Sequence, residues 1–125
     1  MQERRRDPRY PVHWPLRAGH RRSGCLYGHV VNISGVSLLF VTPGEYDVDE
    51  LVEVEIAVNP LFMIRSAVRI VRTEQIGTTE WVYGAEFHNL SEQEGSLLSQ
   101  TLVAIQAGET DDALSFRPKT PLSST

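Results

Sequence analysis

Leu51-Val52-Glu53-Val54-Glu55-Ile56-Ala57-Val58 is the stretch whose reading decides the fold. Apolar residues recur at every second position, so Val52, Val54, Ile56 and Val58 share one face while Glu53 and Glu55 occupy the other. A strand with one apolar and one charged face belongs to a sheet that covers a core on one side and meets water on the other. Asn59-Pro60 turns the chain into a second such run over 62–73, where Ile64, Val68 and Ile70 face one way and Arg65 and Arg69 the other. Outward Glu and Arg on neighbouring strands predict cross-strand ion pairs. A turn over 75–79, centred on Gly77, leads into a third strand over 81–88.

Upstream, the pattern repeats. A first strand is predicted over 13–20, followed by the polar turn Arg21-Arg22-Ser23-Gly24, a β-rich stretch over 25–33, and an apolar run over 36–41. Asn32-Ile33-Ser34-Gly35 between the last two has turn chemistry, because Asn and Ser side chains bond nearby backbone and Gly tolerates positive φ. Thr42-Pro43-Gly44 ends the run, and an acidic loop covers 45–50. Strands joined by short turns imply a mainly antiparallel sheet, and closure into a barrel removes its edges. Beyond residue 90 the period changes. Ser91-Glu92-Gln93-Glu94 fits a capping box, and Leu90, Leu97, Leu98, Leu102 and Ile105 form a stripe at helical spacing. One helix of about four turns follows, ended near Gly108. From residue 107 onward Asp, Ser, Thr and Pro dominate, the composition of a disordered tail.

At 125 residues the chain reads as one domain: an arginine-rich arm over 1–12, a barrel with its helix over 13–106, and a tail over 107–125. Cys25 is the single cysteine, so no intrachain disulfide forms, and a reducing cytoplasm is the expected compartment. No apolar run approaches a membrane span, so no membrane insertion is expected. Charge is unevenly placed. Residues 1–25 hold seven arginines against Glu3 and Asp7, a balance of +5, so the rest of a chain at −4 carries −9. That distribution suits a local anion site on an acidic body and argues against binding a nucleic acid polymer.

The arm is Arg4-Arg5-Arg6-Asp7-Pro8-Arg9, without lysine. Guanidinium groups grip phosphates through a rigid fork and stack on bases through a flat face. Pro8, Pro11 and Pro15 deny the segment a helix and keep it extended. Catalytic chemistry has little to stand on. His13, His20, His29 and His88 are scattered, Cys25 with His29 is no zinc pattern, and no P-loop, G-x-S-x-G or H-E-x-x-H occurs. Neither a metal, a cofactor nor an enzymatic activity is expected.

Arg5-x-x-x-Arg9, the Asn32-x-Ser34 turn after a strand, and Gly84-Ala85-Glu86-Phe87 running into a capped helix together resemble the PilZ domain family over roughly residues 3–106. The resemblance implies an all-β fold, a six-stranded antiparallel barrel with one C-terminal helix. It also implies an activity: binding the bacterial second messenger cyclic di-GMP. By that likeness Arg5 and Arg9 take phosphate oxygens or a guanine edge, and Asn32 and Ser34 hydrogen-bond a guanine from the barrel surface. Arg4, Arg6 and Gly35 are secondary candidates. The family turn commonly ends in glycine, and Ser37 holds that place here. Its side chain either crowds the guanine or donates to it. The implied receptor closes its arm on the ligand and signals to an unidentified protein partner in trans, in motility, adhesion or exopolysaccharide control. The alternative is a degenerate relative that uses the barrel for protein–protein contacts and ignores the nucleotide.

Overall fold

The computed structural model describes residues 8–20, 22 and 24–108. Arg4, Arg5 and Arg6 and the tail from 109 onward lie outside the described residues. Six strands and one helix follow in order: β1 Tyr10–His20, β2 Gly24–Ile33, β3 Ser37–Thr42, β4 Leu51–Asn59, β5 Phe62–Gln75, β6 Trp81–Phe87 and α1 Glu92–Gln106. The strands close into a barrel in the order β1-β2-β3-β6-β5-β4, every pairing antiparallel. Closure is made where Leu16, Arg17 and Ala18 of β1 pair with Ile56, Glu55 and Val54 of β4. It leaves no open edge to template aggregation.

β4 shows why the barrel forms. Val52, Val54, Ile56 and Val58 are buried, whereas Leu51 and Glu53 are exposed. They meet Leu16, Ala18, Val30, Ile33, Leu38, Phe40, Ile64, Val68, Ile70 and Tyr83 in a single core. α1 adds Leu98 and Leu102, with Leu90 and Ile105 packed against them. Ser91 caps the helix by accepting from Glu94 N at 3.1 Å. The Glu94 carboxylate accepts from Ser91 Oγ at 3.1 Å and from the Arg65 amide of β5 at 2.9 Å, so one side chain both braces the capping serine and ties α1 to the barrel.

The strand expected to begin at His13 starts at Tyr10, so Tyr10, Pro11 and Val12, assigned from sequence to the arm, are barrel residues. Tyr10 pairs with Ile33 and Pro11 with Asn32, and a bulge between Pro11 and Trp14 absorbs the ladder bond that proline cannot make. Tyr10 Oη also donates to Gln106 Oε1 at 3.3 Å, linking the start of β1 to the end of α1.

The outward charges pair across strands as expected. Glu55 takes Arg17 of β1 and Arg65 of β5, the latter at 3.1 Å, and Arg69 meets Glu86 at 2.9 Å. The Arg65 hydrogen bond, with Arg17 beside it, holds the Glu55 carboxyl below the usual range. A tyrosine pair secures the loop after β3. Tyr83 Oη donates to Gly44 O at 2.7 Å and accepts from Tyr46 N at 3.0 Å, and Tyr46 Oη donates to Gly19 O at 2.9 Å. Burial, and then the neighbouring Tyr83, push the Tyr46 phenol up to about 12. Burial also raises Tyr83.

Candidate functional site

The site grows from the turn between β2 and β3. Ser34, fully buried, accepts at its Oγ from the amides of Val36 and Ser37, each at 3.1 Å. Its own amide donates to Ser37 O at 2.8 Å. A serine side chain that bonds the backbone two and three residues on is a local substitute for ladder bonds, and it fixes the turn's curvature. Phe87 N donates to Val36 O at 3.0 Å, which anchors the turn to the end of β6.

This turn receives Arg9. Because Tyr10 pairs with Ile33, the residue before β1 arrives level with the turn. Arg9 Nη1 donates to Asn32 Oδ1 and Nη2 to Ser37 Oγ, both at 3.0 Å. The planar guanidinium is thereby oriented by two separate acceptors, one on β2 and one at the start of β3. Both acceptors are neutral oxygens, Asn32 Oδ1 and Ser37 Oγ. Ser37 Oγ also lies 3.3 Å from Ser34 Oγ, which connects the docked arginine to the internal bonding of the turn.

Four of the residues singled out in the sequence thus meet: Arg9, Asn32, Ser34 and Ser37. Their positions differ in kind. Asn32 is half-buried on the barrel wall, Ser37 is nearly buried against Arg9, and Ser34 faces inward with its hydroxyl engaged by the turn. Gly35 is exposed at the tip. Arg4, Arg5 and Arg6 lie outside the described residues. Docking of Arg9 on Ser37 had no signal in the sequence, since the two are 28 residues apart and only the β1–β2–β3 pairing aligns them. His13 and His29 lie with ring centroids 4.8 Å apart. Among the described residues no group of three or more His, Cys, Asp or Glu is placed to hold a metal ion. Among them also, no helix is long and apolar enough to cross a membrane.

Comparison with known proteins places this geometry in context. The PilZ domain family matches over residues 3–104. No curated protein matches the sequence significantly. Among solved structures, the inhibitor of motility MotI/DgrA from Bacillus subtilis superposes with a TM-score of 0.72 at 14% identity, over 86% of this chain and 53% of that one. The PilZ domain of YcgR from Escherichia coli, solved with c-di-GMP, gives a TM-score of 0.69 at 13% identity, over 89% of this chain and 98% of that one. Full YcgR, in complex with c-di-GMP, gives 0.73 at 12% identity over 89% of this chain, which spans 50% of it. The chain therefore covers about half the length of the longer relatives. At such identities the likeness is one of fold, but the family match spans most of the sequence. With a closed six-stranded barrel, one C-terminal helix and an arginine docked on the β2–β3 turn, the chain belongs to the PilZ domain family.

Proposed function

We propose that this chain is a cyclic di-GMP receptor domain in which Arg9, Asn32 and Ser37 form the ligand-facing site and Arg5 joins them from the arm. The observation that carries this reading is the Arg9 guanidinium seated on Asn32 and Ser37 at 3.0 Å. Cyclic di-GMP carries two anionic phosphodiesters and two guanines that present O6 and N7 acceptors. A guanidinium held in a fixed plane offers both a donor fork and a stacking face to such a ligand. Because Arg9 is already docked, less conformational entropy is lost on binding than for an arm that is wholly free. Ser34 acts by shaping the turn, while Asn32 presents its amide to the ligand. Ser37 supplies, in place of the family's glycine, the acceptor that orients Arg9.

Binding is the whole activity in this reading: the domain turns over no substrate. It acts in the cytoplasm on a protein partner that senses the ligand-bound arm, within motility or surface-polysaccharide control. Support comes from the family match and from the two YcgR structures solved with c-di-GMP. Calorimetric titration with cyclic di-GMP, with GTP and Arg9→Ala as controls, tests the reading. Saturable heat lost in Arg9→Ala and absent for GTP is the expected result. No heat, together with an unchanged melting temperature at high ligand concentration, overturns it and leaves the barrel as a protein-interaction module.

A further inference from the structure

Four barrel arginines project outward, and three of them are paired. Arg17 and Arg65 share Glu55, and Arg69 lies 2.9 Å from Glu86 and 3.9 Å from Asp49. The fourth, Arg72, has no carboxylate within ion-pair distance among the described residues. Its placement is nonetheless specific. In β6, Tyr83 and Ala85 point into the core, so Gly84 between them faces outward. Gly84 is still buried, because Arg72 covers it. A Cβ at Gly84 would stand 2.9 Å from Arg72 Nε and 3.0 Å from its Cγ. The side chain therefore lies flat across β6 in a bed that only glycine leaves open. Its guanidinium is carried off β5 along the barrel's outer face.

That face leads to the site. The ladder registers put Asn32, Leu39, Gly84 and Arg72 in one row across β2, β3, β6 and β5. Neighbouring strands are about 4.8 Å apart, so Gly84, with Arg72 over it, lies roughly 10 Å from Asn32. Leu39 between them adds a half-buried apolar floor. A cationic group at each end of an apolar strip matches a ligand with two anionic groups and a flat body better than it matches a single phosphate.

We infer that Arg72 is a second cationic contact of the same site, and that it takes the half of the cyclic dinucleotide that Arg9 and Asn32 do not hold. This rests on the receptor reading above and adds a residue outside both the arginine arm and the β2–β3 turn. Its guanidinium donates to a phosphodiester oxygen or a guanine O6/N7 edge from across the strip, so the domain grips its ligand from two sides.

The test compares the wild-type chain with Arg72→Ala, Arg72→Gln and Arg72→Lys by calorimetric titration with cyclic di-GMP at fixed ionic strength. Thermal melts of the unliganded proteins accompany it. Arg72 is exposed and pairs with no carboxylate among the described residues, so Arg72→Gln and Arg72→Lys, which keep the stem over Gly84, are expected to melt within about 2 °C of wild type and Arg72→Ala within about 5 °C. Losing a charge-assisted contact should weaken binding about 10-fold or more in Arg72→Ala and Arg72→Gln, and Arg72→Lys should recover part of it. Wild-type affinity in the Ala and Gln variants overturns the role of Arg72 while leaving the receptor reading intact. A wild-type chain that does not bind overturns both, and only that outcome touches the receptor reading.

Discussion

Removing the Arg9 side chain tests its docking on the β2–β3 turn directly, and a cost follows from the bonds to Asn32 and Ser37. Each is a charge-assisted hydrogen bond of 3.0 Å to a neutral acceptor. Such bonds contribute about 1.5–3 kcal/mol when both partners are shielded from water. Here the loss is partly offset. Half-buried Asn32 regains water, and Ser37 Oγ keeps its neighbour Ser34 Oγ at 3.3 Å. A net destabilisation of about 1–3 kcal/mol follows for Arg9→Ala. For a domain of this size that corresponds to a melting temperature lower by about 5–15 °C. Thermal circular dichroism of Arg9→Ala, Ser37→Ala and the double variant measures it as a cycle. Because one bond is common to both single variants, the double variant should be less destabilised than the two summed, with a coupling of about 1 kcal/mol. A melting temperature for Arg9→Ala within about 1 °C of wild type would refute docking in the unliganded state. Strict additivity would refute the Arg9–Ser37 bond in particular. If the receptor reading holds, the same variant weakens cyclic di-GMP binding about 100-fold or more, since two directed donors and the stacking face are lost together.

Other perturbations probe the scaffold. Tyr83→Phe strips the hydroxyl that serves Gly44 O and Tyr46 N, leaving two buried backbone groups unsatisfied, and should cost about 2–4 kcal/mol by urea denaturation; a loss under about 0.5 kcal/mol would contradict it. Tyr46 is raised in the folded state to about 12 from an ordinary value of 10.0, so its contribution is complete below pH 10 and is lost as pH rises through 12. Melts across that range should show stability falling, and Tyr46→Phe should lessen the fall without abolishing it, because burial also raises Tyr83. Gly28→Ala would place a Cβ 1.9 Å from the Val41 carbonyl oxygen, a backbone atom that cannot step aside, and should destabilise by about 3 kcal/mol or more; a wild-type melt would refute the close approach of β3 to Gly28.

The elements were legible in the sequence because they rest on local periodicity. The alternation at Val52, Val54, Ile56 and Val58, the Asn59-Pro60 turn, and Ser91 with Glu94 each carry their signal within a few residues. The start of β1 escapes a local reading for a related reason. Three prolines read locally as a free arm, whereas pairing with Ile33 and Asn32 draws Tyr10 and Pro11 into the sheet. Ser34 illustrates the limit for the site. The motif placed it among ligand contacts, but only the folded turn shows its hydroxyl already engaged by the amides of Val36 and Ser37.

By itself, the sequence determined strand and helix type, the antiparallel pattern, the outward charges of β4 and β5, and the presence of an arginine cluster and an Asn-x-Ser turn. Tertiary structure decided which strands meet. The β3–β6 and β1–β4 pairings join segments distant in the chain, and they alone close the barrel. The β1–β2–β3 pairing aligns Arg9 with Ser37, and the β3–β6 pairing extends the row from Asn32 and Leu39 to Gly84 and Arg72. Periodicity reports which face of a strand a residue occupies, because side chains alternate along one backbone. Which residues become neighbours across strands depends on register, and register is set by packing of the whole core.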